Sequence, residues 1–78
     1  MSRKFETIVS EVLEANVNGL KMSGEKMQQT LTDLGVDSLD VMLVLMEIQE
    51  KTGVMIPEDQ ADILQTPAQI AEFLKAND

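Results

Sequence analysis

Six consecutive apolar residues, at positions 41–46, follow directly on Asp37-Ser38-Leu39-Asp40. The spacing predicts a helix entered through Asp37 as N-cap, with Asp40 three residues on as a weaker form of capping box, and running to about Lys51. Successive helical side chains point about 100° apart, so a run this apolar cannot turn every residue into a small core. Some of Val41, Met42, Leu43 and Met46 are therefore expected at the surface. Exposed apolar side chains beside acids form the kind of face on which another protein docks.

The rest of the chain must build a core around that helix from limited means. Its 78 residues allow one small domain, expected to span 1–78, and leave little room for an elaborate internal active site. There is no Cys to form a disulfide or a thiolate metal site, and no His or Trp. Only two aromatics, Phe5 and Phe73, are present, so Leu, Ile, Val and six Met fill the interior. An all-α bundle is the economical solution.

Periodicity supplies its helices. Phe5, Ile8, Val9, Val12 and Leu13 mark one face of a first helix over about residues 2–16, with Glu6, Glu11 and Glu14 on other faces. Asn16, Asn18 and Gly19 bring stop and turn chemistry. Residues 18–37 then read as a long connection anchored by Leu20, Met22, Met27, Leu31 and Leu34, with room for a helical turn near 25–31. After Thr52-Gly53 ends the central helix, Val54-Met55-Ile56 crosses in extended form, and Pro57 opens a short helix carrying Glu58, Asp59, Ala61, Ile63 and Leu64. Thr66-Pro67-Ala68-Gln69 combines a Thr cap, a Pro in the first turn and a Gln three residues after the cap, ahead of Ile70, Phe73 and Leu74 at helical spacing. The expected fold is a small four-helix bundle of three longer helices and one short one, with a long loop between the first two.

Charge narrows the choice of partner. The formal net charge is −8, and residues 33–62 hold eight acids against one base, Lys51. Such a field repels nucleic acid and anionic membrane and draws basic protein surfaces. No stretch is apolar and long enough to span a bilayer, and no apolar signal core follows Met1, so the expected setting is the cytoplasm, without membrane insertion. The acids from Asp33 onward lack the spacing of a calcium-binding loop, and no metal site is assigned.

Of Ser2, Ser10, Ser23 and Ser38, only Ser38 stands at a helix entrance between acids. A phosphate ester there would meet unpaired backbone N–H groups and the positive end of the helix dipole. General capping preference offers a simpler role, Ser38 as a helix cap. Hydrolytic catalysis is disfavoured, because the chain has no His and no Lys close in sequence to take the hydroxyl proton. The Leu34-Gly35 approach, the Asp37-Ser38-Leu39 core, Asp40, the Ile56-Pro57 step and the Thr66 cap together resemble the acyl carrier protein family.

The resemblance implies a non-catalytic protein. In that family a separate Mg²⁺-dependent phosphopantetheinyl transferase moves 4′-phosphopantetheine from coenzyme A to the serine that matches Ser38. The thiol of the arm then holds acyl groups as thioesters for partner enzymes: acyl or malonyl transferases, ketosynthases or ligases with basic docking patches. The implied partner face comprises Asp37, Leu39, Asp40, Met42, Leu43, Met46, Glu47, Glu50, Ile56 and Glu58, on a monomer. Fatty-acid carriers lead one to expect an acid at Leu43, an apolar aromatic near Thr52, and further acids at Gln49 and Lys51. These departures imply a less basic, more apolar partner, and set polyketide or other specialised acyl pathways beside fatty-acid synthesis. Met22, Met27, Met42, Met46 and Met55 are either core filler or the lining of an adaptable acyl groove. The rival to a carrier is an acidic helical adaptor without a prosthetic group.

Overall fold

The computed structural model describes residues 4–78, so the expected start of the first helix at positions 2 and 3, and Ser2 with it, lies outside the described residues. The periodic stretch that begins at Phe5 forms α1, Phe5–Asn16. Its Phe5, Val9, Val12 and Leu13 are all buried, each contributing about 1.5–3 kcal/mol through removal from water. This face is shared, because α1 packs against both α2, Ser38–Thr52, and α3, Pro67–Asn77. Val44, Leu45 and Ile48 enter the core from α2, and Ile70, Ala71 and Leu74 from α3.

Each terminus of α2 has its own chemistry. Asp37 occupies the N-cap position with extended backbone, but its carboxylate makes no capping bond, and Asp40 does not complete a capping box. Instead the backbone carbonyl of Asp37 accepts from both Asp40 N–H (2.8 Å) and Val41 N–H (3.1 Å), closing the first turn without the side chain. At the other end Gly53 adopts φ 74°, the left-handed conformation that ends a helix at little cost only for glycine, and donates its N–H to the Gln49 carbonyl. The entry to α3 follows the sequence more closely. Thr66 and Gln69 form a reciprocal capping box over Pro67.

The expected fourth helix shrinks to a 3-10 turn, Glu58–Gln60. Ala61 N–H bonds the Glu58 carbonyl and Ile63 N–H the Gln60 carbonyl, both spanning three residues, and only Leu64 N–H to Gln60 closes an α-type turn. So few residues before the next cap at Thr66 cannot offset the cost of nucleating an α-helix. The long connection likewise contains one 3-10 turn, Lys26–Gln28.

Both connections supply core residues beside the three long helices. Leu31, Leu34 and Val36 are buried from the first, and Val54 and Leu64 from the second. A bond from Leu31 N–H to the Gln65 carbonyl (2.8 Å) joins the two connections. Gly35, at φ 104°, makes the turn that brings Val36 back to bond the Leu31 carbonyl, and lies close against Val17. The path into α2 is thereby held on both sides.

Candidate functional site

Ser38 is the first residue of α2, one place beyond the cap position. Its hydroxyl is exposed and, among the described residues, has no hydrogen-bond partner, so the capping role open to it from sequence is not the one it plays. Nothing among the described residues accepts the N–H groups of Ser38 and Leu39 either. Two donors at the positive end of a 15-residue helix thus face outward beside the hydroxyl. Two other serines are engaged elsewhere. Ser10 Oγ donates to the Glu6 carbonyl (2.8 Å) and contacts Met27 Sδ (3.6 Å), and Ser23 Oγ accepts from Lys26 N–H (3.4 Å).

A cleft of about 460 Å³ opens beside Ser38, lined by Thr30, Leu31 and Thr32 of the first connection, Val41 and Met42 of α2, and Ala61, Asp62 and Gln65 of the second. Its floor is apolar through Leu31, Val41 and Ala61, and its rim is polar. The threonines, Asp62 and Gln65 were not singled out by sequence, because three separate segments bring them to Ser38 and no local spacing records that meeting. The exposed serine, the unpaired amides and the adjoining space together fit a phosphate-linked arm.

The structure keeps most of the expected partner face at the surface. Asp37, Asp40, Glu50 and Glu58 are exposed, as are Leu39 (87%), Leu43 (58%), Met46 (57%) and, at the margin, Met42. Glu47 is half-buried and accepts from Asn16 Nδ2 (3.2 Å), while Ile56 is half-buried against the core. Met55 (73%) and Ile63 (59%) belong to the same exposed apolar set and were missed. Period-two alternation carried a signal for Met55, since Val54 points inward in the extended segment and Met55 outward.

The five described methionines do not line one groove. Met42 borders the cleft at Ser38, Met46 lies with Leu43 in a groove toward the end of α1, and Met22 adjoins Glu14, whose carboxylate accepts the Met22 N–H (2.8 Å). Among the described residues no three acids converge as a metal-holding group, and no helix is long and apolar enough to cross a membrane.

Away from the cleft, Lys75 Nζ meets Glu6 Oε2 at 3.1 Å and ties α3 to α1. The backbone N–H of Glu6, and next the Lys75 ammonium, hold the Glu6 carboxyl below its ordinary range, and the Glu6 carboxylate raises Lys75.

A family model described as the phosphopantetheine attachment site matches residues 3–74. The chain belongs to the acyl carrier protein family. It is similar to the acyl carrier protein of Helicobacter pylori, 34% identical over 74 residues that cover 94% of this chain and 92% of the relative. The acyl carrier protein of a Sulfurovum species is 32% identical, covering 87% and 95% of the two chains, and that of Wolinella succinogenes 29%, covering 90% and 96%. The protein is thus a non-catalytic acyl carrier that uses 4′-phosphopantetheine and serves biosynthetic enzymes. The adaptor without a prosthetic group gives way to this role.

Proposed function

We propose that Ser38 is the attachment point of 4′-phosphopantetheine, and that residues 1–78 form a single acyl-carrier domain. The observation that carries this reading is the exposed Ser38 hydroxyl, unpartnered among the described residues, on the first turn of α2 at the rim of the cleft. The arm, once attached, supplies a thiol on which acyl groups travel as thioesters, in a chain that has no cysteine thiol of its own. Ser38 provides the ester oxygen, and the outward N–H groups of Ser38 and Leu39 present partial positive charge near the phosphate. No imidazole is available in the chain, so the base for transfer belongs to the phosphopantetheinyl transferase.

Docking partners meet acids and apolar side chains together. Asp37, Asp40, Glu50 and Glu58 complement basic patches, and Leu39, Met42, Leu43 and Met46 supply apolar contact, with Glu47 and Ile56 as supports that are half-buried. The enzymes suited to this face are acyl or malonyl transferases, ketosynthases or ligases of fatty-acid, polyketide or related biosynthesis, acting on a monomeric carrier in the cytoplasm. Incubation with coenzyme A, Mg²⁺ and a broad-specificity transferase should add one phosphopantetheine, read by intact mass. Ser38→Ala should abolish the addition, and addition that persists in that variant refutes the assignment.

A further inference from the structure

The exposed large apolar side chains among the described residues all fall between positions 39 and 63, and three of them are methionines: Met42, Met46 and Met55. Met42 borders the Ser38 cleft and Met46 the groove shared with Leu43, Glu47 and Glu50. The other two described methionines are placed differently. Met27 is half-buried with its sulfur against the Ser10 hydroxyl, and Met22 is half-buried against the core. Thioether oxidation follows access, and it converts an apolar side chain into a polar one. The fold therefore divides its described methionines into an exposed set on and just after α2, of which Met42 borders the Ser38 cleft, and a half-buried pair, Met22 and Met27.

We infer that Met42, Met46 and Met55 are a reversible oxidation site that weakens docking of enzymes acting at Ser38 while leaving the fold intact. This rests on the carrier reading proposed above. With hydrogen peroxide as oxidant, a sulfur lone pair attacks one peroxide oxygen and the O–O bond breaks. The sulfur loses two electrons and gains one oxygen as the sulfoxide, and the leaving hydroxide takes the remaining peroxide proton to depart as water. A methionine sulfoxide reductase with a thiol reductant reverses the change. Each sulfoxide places a strong dipole where an apolar partner surface must seat, so association suffers more than chemistry at the Ser38 oxygen, which is untouched.

The test uses the full chain before arm attachment, so that no arm thiol competes for oxidant. Brief peroxide treatment, removal of peroxide and peptide mass mapping should show one added oxygen at Met42, Met46 and Met55 well before Met22 and Met27. The treated protein should keep its thermal midpoint. A broad-specificity phosphopantetheinyl transferase should then show a KM for the protein raised about tenfold, on the scale of one lost apolar contact, with kcat unchanged. Reductase treatment should restore the KM. In the variant carrying Met42→Leu, Met46→Leu and Met55→Leu, treated and untreated samples should have equal KM, each variant sample being judged against the other. Equal oxidation rates at Met22, Met27, Met42, Met46 and Met55, a fall in thermal midpoint, or an unchanged KM in the oxidised wild-type protein overturns the inference. Failure of untreated protein to accept phosphopantetheine overturns instead the Ser38 reading on which it rests.

Discussion

Replacing Leu43 with Glu separates a surface role for α2 from a core role, and the structure sets the size of each outcome. Leu43 is 58% exposed, whereas the adjacent Val44 and Leu45 are 0% and 3% exposed. Surface substitutions away from special features stay within about 0.5 kcal/mol. The new carboxylate lies three residues after Asp40 and four before Glu47, and like-charge neighbours at such spacings cost roughly 0.2–0.5 kcal/mol per pair. The expected destabilisation is therefore about 0.5–1.5 kcal/mol. In a domain of this size 1 kcal/mol moves the midpoint by about 4–8 °C, so the variant should remain folded with a midpoint lowered by no more than about 12 °C. Leu45→Glu is the matched control. There an unpaired carboxylate must enter the core, at a cost of several kcal/mol out of a total stability of about 5–15 kcal/mol. Thermal melts followed by circular dichroism measure both variants. Acylation by a fatty-acid malonyl transferase, compared with wild type, reads recognition, and added negative charge should shift Leu43→Glu toward that basic-patch partner. Collapse of Leu43→Glu would refute the exposure. A folded variant with unchanged partner preference would refute the recognition role.

Further outcomes follow from particular contacts. Gly35→Ala should cost about 1–3 kcal/mol, because φ 104° is strained for any L side chain and the added methyl would lie 3.1 Å from Val17 Cγ1; a urea titration with an unshifted midpoint would rule out strain at this turn. The thermal midpoint should rise with moderate salt or millimolar-scale divalent ions, since residues 33–62 hold eight acids and one base; a flat or falling series would mean that the acids are already compensated. Glu6 has a lowered carboxyl pKa, so its contribution is present above the unfolded value and is lost as pH falls through the folded one, below about 4.5. The small stability difference between wild type and Glu6→Gln should accordingly narrow as pH falls below the ordinary carboxylate range, and a gap that does not narrow with acidification would show that the carboxylate charge is not its source.

What the sequence made legible was whatever local spacing encodes. The α1 stripe and the Thr66-Pro67-Gln69 box translate directly into structure, since both depend on residues three or four apart on the same turn of chain. The apolar run after Ser38 announced correctly that α2 would carry more apolar surface than the core absorbs. Asp37 does stand at the N-cap of α2 as its position predicted, but without a side-chain capping bond, the Asp37 carbonyl accepting the Asp40 and Val41 N–H groups instead. The expected all-α bundle is present with its short element reduced to the 3-10 turn Glu58–Gln60, because residues 58–64 have apolar periodicity without the length to propagate an α-helix. The polar rim of the Ser38 cleft was out of reach for a different reason. Thr30, Thr32, Asp62 and Gln65 come together only after the two connections have joined through Leu31 and Gln65.

The four departures on α2 that suggested a specialised partner are not equivalent once placed in the fold. Thr52 is buried, donating its hydroxyl to the Ile48 carbonyl (2.8 Å) and accepting Val54 N–H (3.2 Å). Gln49 Oε1 accepts Ile56 N–H (2.8 Å), so these two side chains fasten the segment after Gly53 onto the end of α2. Both do so with neutral groups, and the fastening has no titration of its own between mild acid and mild base. Thr52 therefore does not meet a partner, and Gln49, half-buried and with its carbonyl engaged inward, offers little to one. Leu43 and Lys51 remain, both exposed and both lining the groove with Met46, Glu47 and Glu50. One adds an apolar group and the other a positive charge, and both reduce the negative field presented along α2. The proposed preference of this carrier for less basic, more apolar partners therefore rests mainly on Leu43 and Lys51, while Gln49 and Thr52 hold the segment after Gly53 against the end of α2.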